Sequence, residues 1–313
     1  MPTLRIATRK SKLALWQAQF IQEQITQAHP EVEVELVGIT TKGDRWLSSS
    51  LSEIGGKGLF IKELEAAMLA GEADIAVHSM KDLPAQLPDG FALPVIAFRE
   101  DVHDVLVGRV EDPANAVTSM PLNSVVGTSS LRRAAQLLHI RADLQIKPIR
   151  GNVDTRLSKL AEGEYDAIVL AAAGLNRVGL EQLGLDANLV HPLSFTQCLP
   201  APGQGALGIE CLADSAALSW LDALKDESVD LCVRAERGVS LGLGADCSLP
   251  IAAHAALNQG EVHLTALLTD AQGKQIISSE AAGSDPEAVA HEVVDALYKQ
   301  GAQAILTTLR GGN

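Results

Sequence analysis

Apolar positions in the first two-thirds of the chain switch between two periods, one of about two residues and one of about 3.6. Leu4–Thr8 is a short apolar run that predicts a strand, and Leu13, Trp16 and Phe20, with Ile21 and Ile25 beside them, make a helical stripe. Val32, Val34 and Leu36 alternate as a strand. Phe60, Leu64, Ala67 and Met68 predict a helix ending at Gly71, and Ala73–His78 reads as a short buried strand. The pattern resumes with strands at Val105–Gly108 and Val125–Thr128, a helix from about Leu131, and a strand at Ile146–Ile149. A helix over Val153–Ala161 and the strand Ala167–Ala171 follow. Repeated strand–helix–strand units predict mainly parallel sheets with helices on both faces. In such sheets ligands gather outside the carboxyl ends of the strands.

The last third is different. A helix around Trp220–Arg237 precedes three strand-like runs, Ile251–Leu257, Val262–Thr269 and Gln275–Glu280. Asn258-Gln259-Gly260 and Asp270-Ala271-Gln272-Gly273 separate them as hairpin turns. A helix from Pro286 to about Tyr298 closes the unit, with Asp285 as N-cap and Pro286 at the first helical position. The expected class is α/β: two α/β domains, then a small α+β domain with a three-stranded antiparallel sheet. The expected boundaries are 1–98 with 199–218, 99–198, and 219–313, the stretch from Leu199 to Gly205 crossing back between domains. No internal repeat is visible in the sequence.

A length of 313 residues suits two or three domains. With 47% hydrophobic and 20% charged residues, the chain has the composition of a protein that buries a real core. No apolar run approaches the ~20 residues that span a bilayer, and the start MPTLRIATRK has no apolar stretch of a secretory signal. Cys198, Cys211, Cys232 and Cys247 show no metal-ligand spacing, so reduced thiols in a cytoplasmic protein are expected, with no metal. A net charge of −14 argues against a general nucleic-acid binder. The charge is uneven, however. From Gly127 to Lys159 seven basic residues meet two acidic ones, a local surplus that marks a focused anion site.

Gly127-Thr128-Ser129-Ser130-Leu131-Arg132-Arg133 combines a strand end, hydroxyl donors and two guanidinium forks at a helix start, an anion cradle. Two cations there oppose the helix dipole and need a partner. Arg150 with Gly151 and Asn152 repeats the theme, with Arg156 further along the helix; Arg177 follows Ala167–Ala171, and Arg9 closes the first strand. Four strand ends each supplying an arginine suit a ligand with several carboxylates. Asp82, beside Lys81 at the end of another strand, is the candidate for moving protons, and His78 points to the opposite face as a core histidine. The glycine-rich stretch around Lys57 and Phe60 reads as a cationic lid without the phosphate-loop spacing. Gln204 offers an amide to ligand or belongs to a hinge. Cys247, on a loop, is the thiol open to an electrophile.

Together RIATR at 5–9, LALWQA at 13–18, GGKGLFIKELE at 55–65, ADIAVHSMKDLP at 73–84 and VVGTSSLRR at 125–133 form an ordered set of segments. RGNVDTRL at 150–157, YDAIVLAAAGL at 165–175 and LPAPGQGALGIE at 199–210 continue it to the cysteine loop. In these segments the chain resembles the porphobilinogen deaminase (hydroxymethylbilane synthase) family. The resemblance implies two domains like the halves of periplasmic binding proteins with a cleft between them, and a third carrying a cysteine. That cysteine, here Cys247, would bear a dipyrromethane cofactor through a thioether. Four porphobilinogens would be joined to it with loss of ammonia, and hydrolysis would release the linear tetrapyrrole.

Each pyrrole carries an acetate and a propionate, which Arg9, Arg132, Arg133, Arg150, Arg156 and Arg177 would pair. The resemblance makes Asp82 the catalytic aspartate, and sets Lys57, Phe60, Ser79, Lys81, Thr128, Ser129, Ser130 and Gln204 against cofactor or substrate. It also implies a monomer without nucleic-acid or membrane partners. The family commonly has two glycines before the cysteine, where Ala245 and Asp246 stand here. A carboxylate in that position disfavours the thiolate. The alternatives are a non-catalytic two-lobed anion-binding or sensor protein, which needs neither Asp82 nor a modified Cys247, and a phosphate-ester enzyme using the Gly127–Ser130 turn.

Overall fold

Strand β1 (Thr3–Arg9) buries Leu4, Ile6 and Ala7 completely and is an inner strand of its sheet in the computed structural model. The structure describes residues 1–41, 61–244 and 249–311. Strands β2 (Glu33–Ile39) and β3 (Ile75–Ser79) pair with β1 in parallel on either side. Strand β10 (Leu207–Leu212) runs antiparallel between β3 and the edge strand β4 (Phe91–Ala97), which therefore has the direction of β1, β2 and β3. Helix α1 (Lys12–Ala28), capped by the Ser11 hydroxyl, packs Ala18, Ile21 and Ile25 with Leu4 and Ile6. Helix α2 (Lys62–Leu69) packs Leu64 and Met68 with Ala7 and Ala76, whose side chains alternate to the other face.

A second sheet repeats this plan. Strands β5 (Asp104–Gly108), β6 (Val125–Gly127), β7 (Gln145–Lys147), β8 (Ala167–Ala171) and β9 (Val190–Pro192) lie in the order β7-β6-β8-β5-β9. As β1 does, β6 pairs in parallel with both neighbours, while β5 is antiparallel to β8 and β9. In each five-stranded sheet four strands thus run one way and a single strand, β10 or β5, runs against them, so the sheets are mainly parallel as expected, with one reversed strand each. In each sheet, the fourth strand in order belongs to a segment where the chain passes between the two.

Helices α3 (Leu131–Ile140), α4 (Val153–Ala161) and α5 (Ala172–Val178) follow β6, β7 and β8. The single helix expected around Trp220–Arg237 is instead a short turn, Leu218–Leu221, and a separate helix α6 (Glu227–Gly242). Asp226 breaks the run, its carboxylate accepting from the Ser228 and Val229 backbone N–H groups at 3.1 Å each. Strands β11 (Ile251–Asn258), β12 (Glu261–Thr269) and β13 (Ile276–Gly283) form the antiparallel sheet. Helix α7 (Pro286–Lys299) is capped by Asp285 as expected, and α8 (Ala302–Gly311) follows it. Alternate β12 residues Val262, Leu264, Ala266 and Leu268 share a core with Val289, Val293 and Leu297 of α7.

The chain divides into two compact units, Met1–Arg99 with Gly205–Asp230, and Glu100–Gln204 with Leu231–Asn313. The second unit holds both the second five-stranded sheet and the three-stranded sheet, which the sequence pattern assigns to separate domains. Glu236 of α6, fully buried, ties them: one carboxylate oxygen accepts from Gly203 N and the other from Ala255 N, each at 2.7 Å. Gly273, at φ +69°, brings its hairpin onto α3, where its carbonyl lies 2.9 Å from His139 Nδ1. A Cβ at Gly273 would collide with the Ala135 carbonyl. Glu236→Leu strands two buried N–H groups, at about 1–3 kcal/mol each. We expect urea denaturation to show a loss of about 2–6 kcal/mol; a smaller loss means the clasp is replaceable.

Candidate active site

In the first unit the candidate residues Ser79, Lys81 and Asp82 lie where β3 ends. Ser79 is the last strand residue, and its Oγ accepts from Gln17 Nε2 at 2.9 Å. Met80, Lys81 and Asp82 follow as one tight turn, the Met80 N–H donating to Ala206 O at 3.0 Å. Asp82 is exposed and Lys81 half-buried. Arg9, half-buried, ends β1. His78 turns inward as expected, 2.9 Å from the Glu210 carboxylate.

In the second unit the Thr128–Ser130 turn follows β6. Thr128 N donates to Lys147 O at 3.0 Å, Thr128 Oγ1 accepts from Ser130 N at 3.1 Å, and Ser129 Oγ donates to Ile149 O at 2.8 Å. Ser130 Oγ caps α3 by accepting from Arg133 N. The partner that Arg132 and Arg133 require is Asp104, at the first position of β5 and fully buried. Arg132 Nη1 donates to Asp104 Oδ2 and to Leu199 O, both at 2.6 Å. Arg133 places Nε and Nη2 on Asp104 Oδ1 at 3.0 and 2.6 Å, and Nη1 on Val169 O at 2.8 Å. Both guanidiniums are buried rather than displayed on a surface.

Burial alone would raise the Asp104 carboxyl, but the charges and hydrogen bonds of Arg132 and Arg133 outweigh it and hold it well below the usual carboxylate range. Cys198 donates from Sγ to Asp104 Oδ2 at 3.2 Å, and burial beside that carboxylate pushes its thiol up to about 12. The thiol is therefore neutral. Two guanidiniums on one carboxylate leave the cluster with one surplus positive charge. The Arg132 guanidinium contacts among the described residues are all made by Nη1, and Nε and Nη2 donate to none of them.

Gln204, expected to offer its amide to ligand or to belong to a hinge, places its amide nitrogen in this cluster. Its Nε2 donates to Val102 O at 2.8 Å and Asp104 Oδ1 at 2.9 Å, because burial at zero exposure requires the amide protons to find protein acceptors. Arg150 is half-buried after β7, and Arg156 donates from Nε to Gly151 O at 2.8 Å on the helix capped by Asn152. Arg177 is buried in α5; burial lowers its guanidinium to about 10, against the charge of Glu100. Lys57, Phe60 and Cys247 lie outside the described residues. Sequence reasoning passed over Asp104 and Gln136, whose side chain holds Leu199 through both N and O. The signal for Asp104 was there: an acid opening the wholly apolar run Val105–Val107.

Residues 4–219 match the family model described as porphobilinogen deaminase, dipyromethane cofactor binding domain, and residues 230–299 match the porphobilinogen deaminase C-terminal domain. The chain belongs to the porphobilinogen deaminase family. It is 49% identical over 312 residues to the porphobilinogen deaminase of Thiobacillus denitrificans, covering 99% of each chain. It is 46% identical to that of Burkholderia mallei, covering 98% of this chain and 93% of the relative. Among solved structures it is similar to the probable amino-acid ABC transporter extracellular-binding protein ytmK of Bacillus subtilis. That likeness is 11% identical with a TM-score of 0.45, over 72% of this chain and 90% of the other.

As a porphobilinogen deaminase the chain is a transferase of porphyrin biosynthesis whose cofactor is a dipyrromethane. A dipyrromethane carrying carboxylates fits the donor set, because the Asp104 cluster holds more positive charge than its own carboxylate offsets. Asp104→Asn leaves two guanidiniums facing a neutral amide, and we expect a loss of about 3–5 kcal/mol in denaturant unfolding at pH 7. The folded carboxyl lies below its unfolded value, so its contribution is complete above about pH 5 and drains as pH falls through the ordinary carboxylate range. The deficit of Asp104→Asn should therefore shrink at acid pH. A constant deficit from pH 7 to pH 3 would show that the charge is not what holds the cluster.

Proposed function

We propose that this enzyme joins four porphobilinogen molecules head to tail, losing ammonia at each addition, into the linear tetrapyrrole hydroxymethylbilane. The chain grows on a dipyrromethane held through a thioether to Cys247. The observation that carries this reading is the match of residues 4–219 to the dipyrromethane-binding domain. When bound, the dipyrromethane supplies the pyrrole terminus to which substrate units are added.

The roles of the protein's residues follow from their chemistry. Each incoming unit brings an acetate and a propionate, so the anionic load rises with every addition. Arg132 meets it with the Nε and Nη2 edge that Asp104 leaves open, and Arg133 adds charge from behind while its nitrogens stay on protein acceptors. Arg9, Arg150, Arg156 and Arg177 take further carboxylates, and a guanidinium fork suits a planar carboxylate better than an ammonium does. Lys57, Phe60, Ser79, Lys81, Thr128, Ser129 and Ser130 line cofactor or substrate. Asp82 holds and moves the proton, stabilising positive charge on the reacting pyrrole and accepting the proton lost after coupling. Its exposed position beyond a buried strand supports that role. The buried free thiols Cys198, Cys211 and Cys232 favour a reducing compartment, and the reading is of a monomeric cytoplasmic enzyme.

Intact mass of the purified protein tests the attachment. We expect an adduct of two linked pyrrole units that maps to Cys247 and is missing from Cys247→Ser; unmodified protein that turns over porphobilinogen would refute it. For Asp82→Asn we expect substrate binding to survive while turnover drops by about 100-fold or more in a steady-state assay. Near-normal turnover would remove Asp82 from its role.

A further inference from the structure

Behind the Asp82 turn the first sheet carries a buried acid that its fold does not need. Glu210 on β10 is fully buried, and its Oε2 lies 2.9 Å from His78 Nε2, while its Oε1 has no hydrogen-bond partner among the described residues. An unsatisfied buried oxygen is destabilising by about 1–3 kcal/mol. Replacing a buried ion pair by apolar residues of similar volume is often neutral or stabilising. Stability alone therefore gives no reason for a His–Glu pair at this depth. A second carboxyl faces the pair from α2: burial, then the charge of Glu210, raises Glu65, with His78 opposing.

The register shows what the pair acts on. His78 stands directly opposite Gly208, so Glu210, two residues along β10, is its diagonal neighbour on the same face. Met80, two residues beyond His78, is also buried. Its sulfur occupies the space over Gly208, where an added Cβ would collide with Sδ and crowd Leu93 and Leu83 Cδ1 at 3.1 and 3.3 Å. Consecutive residues are thus fixed from different directions: His78 by Glu210, Ser79 by Gln17, and Met80 by the Ala206 carbonyl and the gap at Gly208. Asp82 comes two residues later, on a three-residue turn closed by Leu83 N to Met80 O at 3.2 Å.

We infer that His78 and Glu210, with the bare Gly208 opposite His78, form a positioning device that sets where the Asp82 carboxylate stands during turnover. This rests on the reading of Asp82 as the catalytic carboxylate. His78 and Glu210 act through the strand rather than by touching substrate or cofactor. They lock the strand end, and the rigid turn passes that placement on. A displacement of about 1 Å at a reacting group lowers rate by about 100-fold without requiring weaker binding.

The test compares cofactor-loaded wild type with Glu210→Gln, Gly208→Ala and Asp82→Asn, measuring kcat and KM for porphobilinogen. In parallel, the methyl spectrum of 13C-methionine-labelled protein reports Met80 directly. For Glu210→Gln and Gly208→Ala we expect kcat to fall about 10- to 100-fold with KM within about two-fold, and the Met80 methyl resonance to move. Wild-type kcat with a shifted Met80 signal overturns the inference, as does a rise in KM at constant kcat. If Glu210→Gln does not fold, Gly208→Ala, which adds one methyl group, decides the matter by the same two measurements. Asp82→Asn separates the levels: if it retains turnover, the catalytic reading of Asp82 fails. If it loses turnover while the other variants keep theirs, only the positioning role fails.

Discussion

Asp104 receives five donors: Arg132 Nη1 and Cys198 Sγ on one oxygen, Arg133 Nε and Nη2 and Gln204 Nε2 on the other. The residues come from β5, from the start of α3 and from the segment leading out of the second sheet. Bringing a carboxylate and two guanidiniums out of water is unfavourable unless the geometry satisfies nearly every polar atom. That requirement sets the pitch of α3 against β5 and draws the Cys198–Gln204 segment across them. Gln136 repeats the constraint one helical turn along, holding Leu199 by both its N–H and its carbonyl. The helix dipole is unfavourable to two arginines at its start, and the carboxylate compensates. What is left over is one positive charge, aimed by a scaffold already too tightly bonded to yield.

This changes the meaning of the basic cluster in the sequence. Counting charges from Gly127 to Lys159 marked an anion site, and the family assignment agrees with an anionic ligand. Yet Arg132 and Arg133 are buried and bonded to protein acceptors, as core residues are. Gln204 serves the cluster through its amide nitrogen, because a fully buried amide must satisfy its protons locally. Burial of polar groups by long-range partners is not a property of a residue's own neighbourhood, so the sequence could mark Asp104 only as an acid opening an apolar run and did not name its partners.

The regular elements were far more legible. Period-3.6 stripes located α1 and α4, and Asp285 before Pro286 gave the start of α7. The runs Ile251–Leu257 and Val262–Thr269 fell on β11 and β12 because one face of that sheet is buried and the other exposed. Strand β4 went unread: Pro94 interrupts it, and a proline is tolerated there because β4 is an edge. Strand direction was hidden too. An apolar run of five looks the same whether its neighbour is parallel or antiparallel, and nothing in Val105–Gly108 marked β5 as the strand that runs against its sheet. Nor did the sequence hint that the two five-stranded sheets copy one another's strand order, since topology is repeated without repetition of residues.

That copied order has a consequence for a chain emerging from a ribosome. Strands β5 to β9 lie in one continuous stretch, so the second sheet has all its members once residue 192 is out. The first sheet, although begun at residue 3, lacks the strand between β3 and β4 until Leu212 appears. Until then, β3 and β4 each show a bare edge with nothing between them, the kind of exposed strand that invites wrong partners. The order of synthesis and the order of completion are therefore reversed. The part made first must wait open for the part made second, and the nascent enzyme depends on that interval being short or guarded.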